Sequence, residues 1–145
     1  FGDQFVIDED NHVIDEYEFL LVQGIDATAD EIIEETRSFG GLSILAHIDR
    51  PAYSYVAVLG MIPENLEVDA VELSGRLSAS EALLWLEKAG KRPVVRSSDA
   101  HTLKDISQER TTMALLGEPS FNELSLALKG VDGRRVPWPW GRDSP

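Results

Sequence analysis

Within eight residues, Val94-Val95-Arg96-Ser97-Ser98-Asp99-Ala100-His101 passes from an apolar run to a cluster of polar groups. Asp99 and His101 stand two positions apart, and in an extended segment such residues point the same way. A carboxylate and an imidazole converging on one point suit a divalent metal better than an apolar core. The apolar run itself predicts a buried strand, and open α/β sheets and barrels hold their chemistry where such strands end. The pattern recurs upstream. The run Leu42–Ala46 ends at His47, followed by Asp49 and Arg50, and Ala70–Leu73 carries Glu72 near its end.

His47, Asp99 and His101 are therefore the candidate metal ligands. Singly, a histidine at a strand end is more often a hydrogen-bonded structural residue. Two such ends on one sheet strengthen the metal reading, because successive parallel strands deliver their C-terminal ends to one face. Glu72 has two readings: it orients a ligating histidine from behind, or it pairs with Arg76 or Arg96. Arg50 and Arg96 are candidate phosphate-binding residues, since a guanidinium matches a phosphate in a bidentate way; the alternative is that they neutralise the local acidic cluster. Ser97 and Ser98 read as hydrogen-bonding the turn, and Asp105 and Arg110 as surface residues. His12, the third histidine, reads as a hairpin-turn residue. No catalytic acid, base or nucleophile is identified. There is no Gly-rich phosphate loop, no Gly-x-Ser-x-Gly and no His-Glu-x-x-His.

Composition narrows the chemistry further. The 145 residues contain no cysteine, so thiolate nucleophiles, disulfides and Cys-zinc sites are excluded. Any metal must be held by His, Asp and Glu, which allows zinc, manganese, iron or magnesium. The net charge of −13 argues against binding a nucleic-acid backbone, with Arg134-Arg135 and Arg142 the only local basic candidates, read as tail residues. No signal-peptide or membrane-spanning pattern is present, and the expected location is cytoplasmic. The chain opens on Phe1, from which we expect the numbering to start inside a longer polypeptide.

The elements that must position these groups are punctuated clearly. Thr28-Ala-Asp-Glu31, Ser78-Ala-Ser-Glu81 and Ser120-Phe-Asn-Glu123 each have the form of a capping box, and each is followed by an apolar-rich run and a glycine stop at Gly40, Gly90 and Gly130. They predict helices over 29–39, 79–89 and 121–129. A further helix or irregular turn is expected from Tyr53 to Leu59. Strands are expected at Leu42–Ala46, Ala70–Leu73, Pro93–Val95 and Thr112–Leu116, and their alternation with helices predicts a parallel α/β sheet. Phe5–Asp8 and Val13–Asp15 flank a polar turn and predict a β-hairpin within residues 1–22. The tail 137–145 is expected to be irregular. About four parallel strands fall short of a closed eight-stranded barrel, which leaves a small open sheet or part of a barrel.

Gly40-Gly-Leu-Ser-Ile-Leu-Ala-His47, then Val71-Glu-Leu73, then Ser97-Ser-Asp-Ala-His101 resembles the second half of the PHP (polymerase and histidinol phosphatase) domain, with bacterial metal-dependent phosphoesterases of that family the nearest look. The resemblance covers residues 1–136, with 1–22 as a hairpin insertion. It implies the C-terminal portion of a distorted (β/α)7 barrel, metal ligation by His47, Asp99 and His101, and hydrolysis of phosphate esters on a phosphorylated small molecule or nucleotide. Ile48 stands where the family usually has Pro. The family's His-x-His strand, bridging Glu and two further histidines are not in this sequence, so a full metal cluster needs ligands from elsewhere. The isolated fragment is accordingly expected to be inactive and to form a homodimer through exposed strand edges. Two rival readings remain: an amidohydrolase-type C–N hydrolase, and a PHP-associated regulatory or assembly module without catalysis.

Overall fold

The computed structural model describes residues 2–106 and 115–140. Element order is β1 (Phe5–Ile7), β2 (Val13–Glu16), α1 (Ala29–Ser38), β3 (Ile44–Leu45), α2 (Tyr55–Leu59), β4 (Ala70–Ser74), α3 (Ala79–Ala89), β5 (Val94–Ser97), a 3-10 turn (Leu103–Asp105) and α4 (Phe121–Lys129). The architecture is mixed α/β: an antiparallel β1–β2 hairpin and a three-stranded parallel sheet in the order β3-β4-β5. Of the expected fourth parallel strand, residues 112–114 lie outside the described residues, and Leu115–Leu116 form no strand. None of the described helices is long and apolar enough to cross a membrane.

Helix starts follow local chemistry. Thr28 and Ser78 each accept from the N3 amide while Glu31 and Glu81 reach back to the cap, completing two capping boxes. The third box does not close. Ser120 accepts from the Glu123 amide, but the Glu123 carboxylate turns instead to Arg134 and to the amides of Leu116 and Gly117. A guanidinium is a stronger partner than the amide of the cap residue, and it wins the carboxylate. At the end of α1, Gly40 N–H donates to Arg37 and Gly41 N–H to Thr36, both at 2.8 Å, so the helix stops one residue earlier than expected. This is the paired closure a glycine at φ +73° permits.

Register assigns the sheet two faces. Leu45, Val71, Leu73 and Val94 lie on one, where they join Ile33 of α1, Val56 of α2 and Ala82 and Ala89 of α3 in the main core. Ala70 and Val95 lie on the other, packed with Leu124 and Leu128 of α4. Glu72, Ser74 and Ser97 share that second face by the two-residue period. The stretch to residue 140 is irregular but anchored: Trp138 and Trp140 pack against the main core, and the Trp140 indole N–H donates to Leu77 O at 2.8 Å.

Candidate functional site

The C-terminal ends of β3, β4 and β5 are drawn together by side chains that follow them. After β3 the ladder continues for one more bond, from Ile48 N–H to Glu72 O at 2.9 Å. Proline could not make that bond, so isoleucine at this position extends the pairing, and its fully buried side chain fills the core. The chain then turns: Arg50 N–H donates to His47 O, also at 2.9 Å. The turn places Asp49 against β4, where its carboxylate accepts from the Ser74 amide at 2.7 Å and from the Ser74 hydroxyl. Across the sheet the Arg50 guanidinium forms an ion pair with Asp99, beyond β5. Between these, Glu72 accepts from the Ser97 hydroxyl at 2.7 Å.

His47 is half-buried with φ +29°, and Asp99 has φ +48°. Both occupy the left-handed region, which most residues other than glycine avoid and which is common where a site is held in shape by its surroundings. Nδ1 of His47 is buried with no hydrogen-bond partner among the described residues. A buried polar atom without a partner costs free energy, and an imidazole nitrogen is completed by a donor, a water or a metal. Asp99 Oδ2 is buried too; the Arg50 guanidinium faces it in an ionic contact rather than a well-directed hydrogen bond.

His101 is exposed, and its Nδ1 lies 2.9 Å from Asp99 O. A carbonyl only accepts, so the contact places a proton on Nδ1 and leaves Nε2 of the neutral ring with its lone pair outward. The expectation that Asp99 and His101 extend side by side from the strand is corrected. Strand β5 ends at Ser97, and the left-handed turn at Asp99 folds His101 back onto the backbone. Among the described residues, no three His, Asp or Glu side chains lie together as a metal-binding group. The donor types fit a divalent ion and the His47 nitrogen is available, but the Asp99 carboxylate is engaged by Arg50.

Other sequence expectations sort by geometry. Arg96 pairs in register with Leu73, on the opposite face from Glu72; its guanidinium donates to Gly75 O at 2.7 Å and stacks 4.7 Å from the Trp140 ring. Glu72 takes Ser97 rather than an arginine. Asp105 caps the 3-10 turn, held below the ordinary carboxylate range by the Thr102 hydroxyl and amide. Arg134 is no tail residue: it is largely buried against Glu123. His12 sits at the hairpin turn beside Asp8, as expected. Arg110 and Arg142 lie outside the described residues. The Asp49–Ser74 link escaped the sequence reading. Its only signal was a serine closing one strand and an aspartate two positions past the histidine of another.

Over 129 residues the chain is 31% identical to a Bacillus subtilis (strain 168) protein named uncharacterized protein YqxK, an alignment covering 86% of this chain and 33% of that relative. The chain thus spans about a third of the relative's length. No family model and no solved structure matches it.

Proposed function

We propose that the chain is the C-terminal part of a PHP-type barrel and contributes His47, Asp99 and His101 to a metal-dependent phosphoesterase. The observation that carries this reading is the buried, unpartnered Nδ1 of His47, at the same sheet end as Asp99. A bound zinc, manganese, iron or magnesium ion would supply an acidified water and neutralise charge on the phosphate oxygens. The chain's own residues would hold and orient. His47 offers a nitrogen that nothing else satisfies, and Asp49 fixes its turn to β4 through Ser74. Arg50 pairs with Asp99, and a guanidinium at this sheet end would suit a phosphate anion if Asp99 were to take a cation instead. The sheet edges beyond β3 and β5 carry no strand among the described residues, and we propose that in the isolated fragment a second copy pairs there. A monomer at every concentration in sedimentation velocity would overturn that pairing.

The test uses the full protein that carries this chain. Wild type should retain a divalent metal by elemental analysis and release phosphate from a phosphomonoester, whereas His47→Gln and Asp99→Asn should lose both. Full metal content with undiminished turnover in both variants would refute the assignment. Release of ammonia from an amide substrate instead of phosphate would favour a C–N hydrolase. A second reading, a non-catalytic assembly module, draws on the Arg50–Asp99 ion pair, which satisfies the carboxylate without any metal. Less than one bound metal per chain, with no turnover, would favour it.

A further inference from the structure

The acidity of this chain is unevenly spread. Residues 1–36 hold 12 of its 26 aspartates and glutamates and none of its 13 lysines and arginines, and the remainder is nearly neutral. The hairpin lies in that stretch and presents apolar side chains among the acids. Phe5, Ile7, Val13, Ile14, Phe19 and Leu21 are each more than half exposed, and none joins a core cluster. Asp15, Glu16 and Glu18 are exposed beside them. Among the described residues, no lysine or arginine forms an ion pair with an acid of residues 1–36. The backbone is open as well. β1 and β2 pair with each other alone, so each has an outer edge without a neighbouring strand among the described residues. A two-stranded hairpin is marginal by itself, and a third strand stabilises it.

An exposed apolar face set among charges of one sign selects its occupant. A second copy would bring the same acids against these, and nucleic acid or an anionic lipid surface is repelled in the same way. An apolar segment that carries cations is attracted. We propose that the hairpin is a docking surface for an extended segment of another protein, one that alternates apolar residues with lysine or arginine and pairs beside β2 as a third strand. Main-chain bonds to the open edge give such a segment affinity. Its apolar side chains cover those of the hairpin, and its cations meet Asp15, Glu16 and Glu18. These acids then act twice: they keep hairpins of like charge apart, and they admit a strand of opposite charge. The metal site has no part in this surface.

Fluorescence anisotropy of labelled peptides with the full protein tests the proposal. The probe is a short peptide of alternating lysine and valine. Its controls are a lysine–serine peptide, a glutamate–valine peptide, and the probe with an N-methylated backbone that cannot pair. The probe should bind about tenfold more tightly than the lysine–serine and N-methylated peptides, the scale of a few cross-strand pairs. The glutamate–valine peptide should not bind, and added salt should weaken the probe. Asp15→Asn with Glu16→Gln should weaken it about tenfold, and so should Val13→Ser. Leu84→Ser, at an exposed apolar residue of α3, should leave it unchanged. Hydrogen exchange should slow at the β2 amides when the probe binds. No binding of the probe overturns the proposal, as does protection that falls outside the hairpin. Equal binding of the lysine–serine peptide overturns it too, reducing the contact to charge alone. A dimer of the full protein that Val13→Ser dissociates would give this surface to a second copy and defeat the proposal in a different way.

Discussion

The parallel sheet and the N-terminal hairpin are both built from alternating apolar residues, yet they solve opposite problems. In the sheet, Val71 and Leu73 are fully buried, with helices packed over them. In the hairpin, Phe5, Ile7, Val13 and Ile14 are each more than half exposed, and none belongs to either core cluster. The hairpin is held by polar groups instead. Asp8 Oδ1 accepts from the Asp10 and His12 amides at 2.9 Å, and the Gln4 side chain bonds to the backbone of Tyr17, Phe19 and Leu21. Local hydrogen bonds define a turn, but burial supplies most of the stability of a fold.

The largest test of that contrast is a pair of truncations. Leu73→Ala removes a side chain with no exposure from the centre of the sheet and should cost about 2–5 kcal/mol. Val13→Ala, at 58% exposure on the hairpin, should fall within about 0.5 kcal/mol. Urea unfolding of the two variants measures both. Equal losses would mean that the hairpin is packed in solution against something else, and the contrast would fail.

A smaller effect separates two glycines. A methyl group added at Gly41 would meet Thr36 Cγ2 at 2.7 Å and Thr36 O at 2.9 Å, so the turn from α1 into β3 would have to open. Gly41→Ala should therefore cost about 1–3 kcal/mol, the range of overpacking, and it should disturb the placement of His47 six residues later. At Gly24, between the hairpin and α1, the same methyl would meet nothing within 4 Å. Gly24→Ala should be neutral or slightly stabilising by thermal melting. A silent Gly41→Ala would remove the close approach as the reason for glycine there.

How much was legible follows the same division between local and long-range causes. The bounds of α3 and α4, the hairpin and the positions of three of the four expected parallel strands were readable because caps, glycine stops and apolar periods act over a few residues, although the first of those strands is only Ile44–Leu45. Long-range pairings were not. Nothing in the spacing of Asp49, Arg50 and Asp99 says which acid meets Ser74 and which meets the arginine, because that depends on where β4 and β5 lie beside β3. Arg96 was misplaced for a related reason: strand register, which the sequence does not print, decides the face on which it lies. Glu123 shows the limit most plainly, a box-forming residue by its position that a distant arginine recruits instead.

The smallest expected difference lies in acid. Hydrogen bonds from the Arg134 guanidinium, then the Leu116 amide, hold the Glu123 carboxyl at about 2 against an ordinary value of 4.5. A carboxyl whose folded value is depressed binds its proton more readily when unfolded, so it stabilises the fold above pH 4.5 and loses that contribution as pH falls toward 2. The melting temperature of wild type should therefore approach that of Glu123→Gln across this window. Water and salt screen the pair, since Arg134 keeps a fifth of its side chain exposed, and the glutamine can still accept from the two amides, which keeps the effect modest. Asp8 is also held low, chiefly by the His12 amide, but it closes only the exposed hairpin turn. Asp8→Asn should leave the acid limb of the melting curve unchanged. A reversed order, with the hairpin carboxylate governing acid unfolding, would place the hairpin inside the cooperative unit and the Glu123–Arg134 pair of α4 outside it.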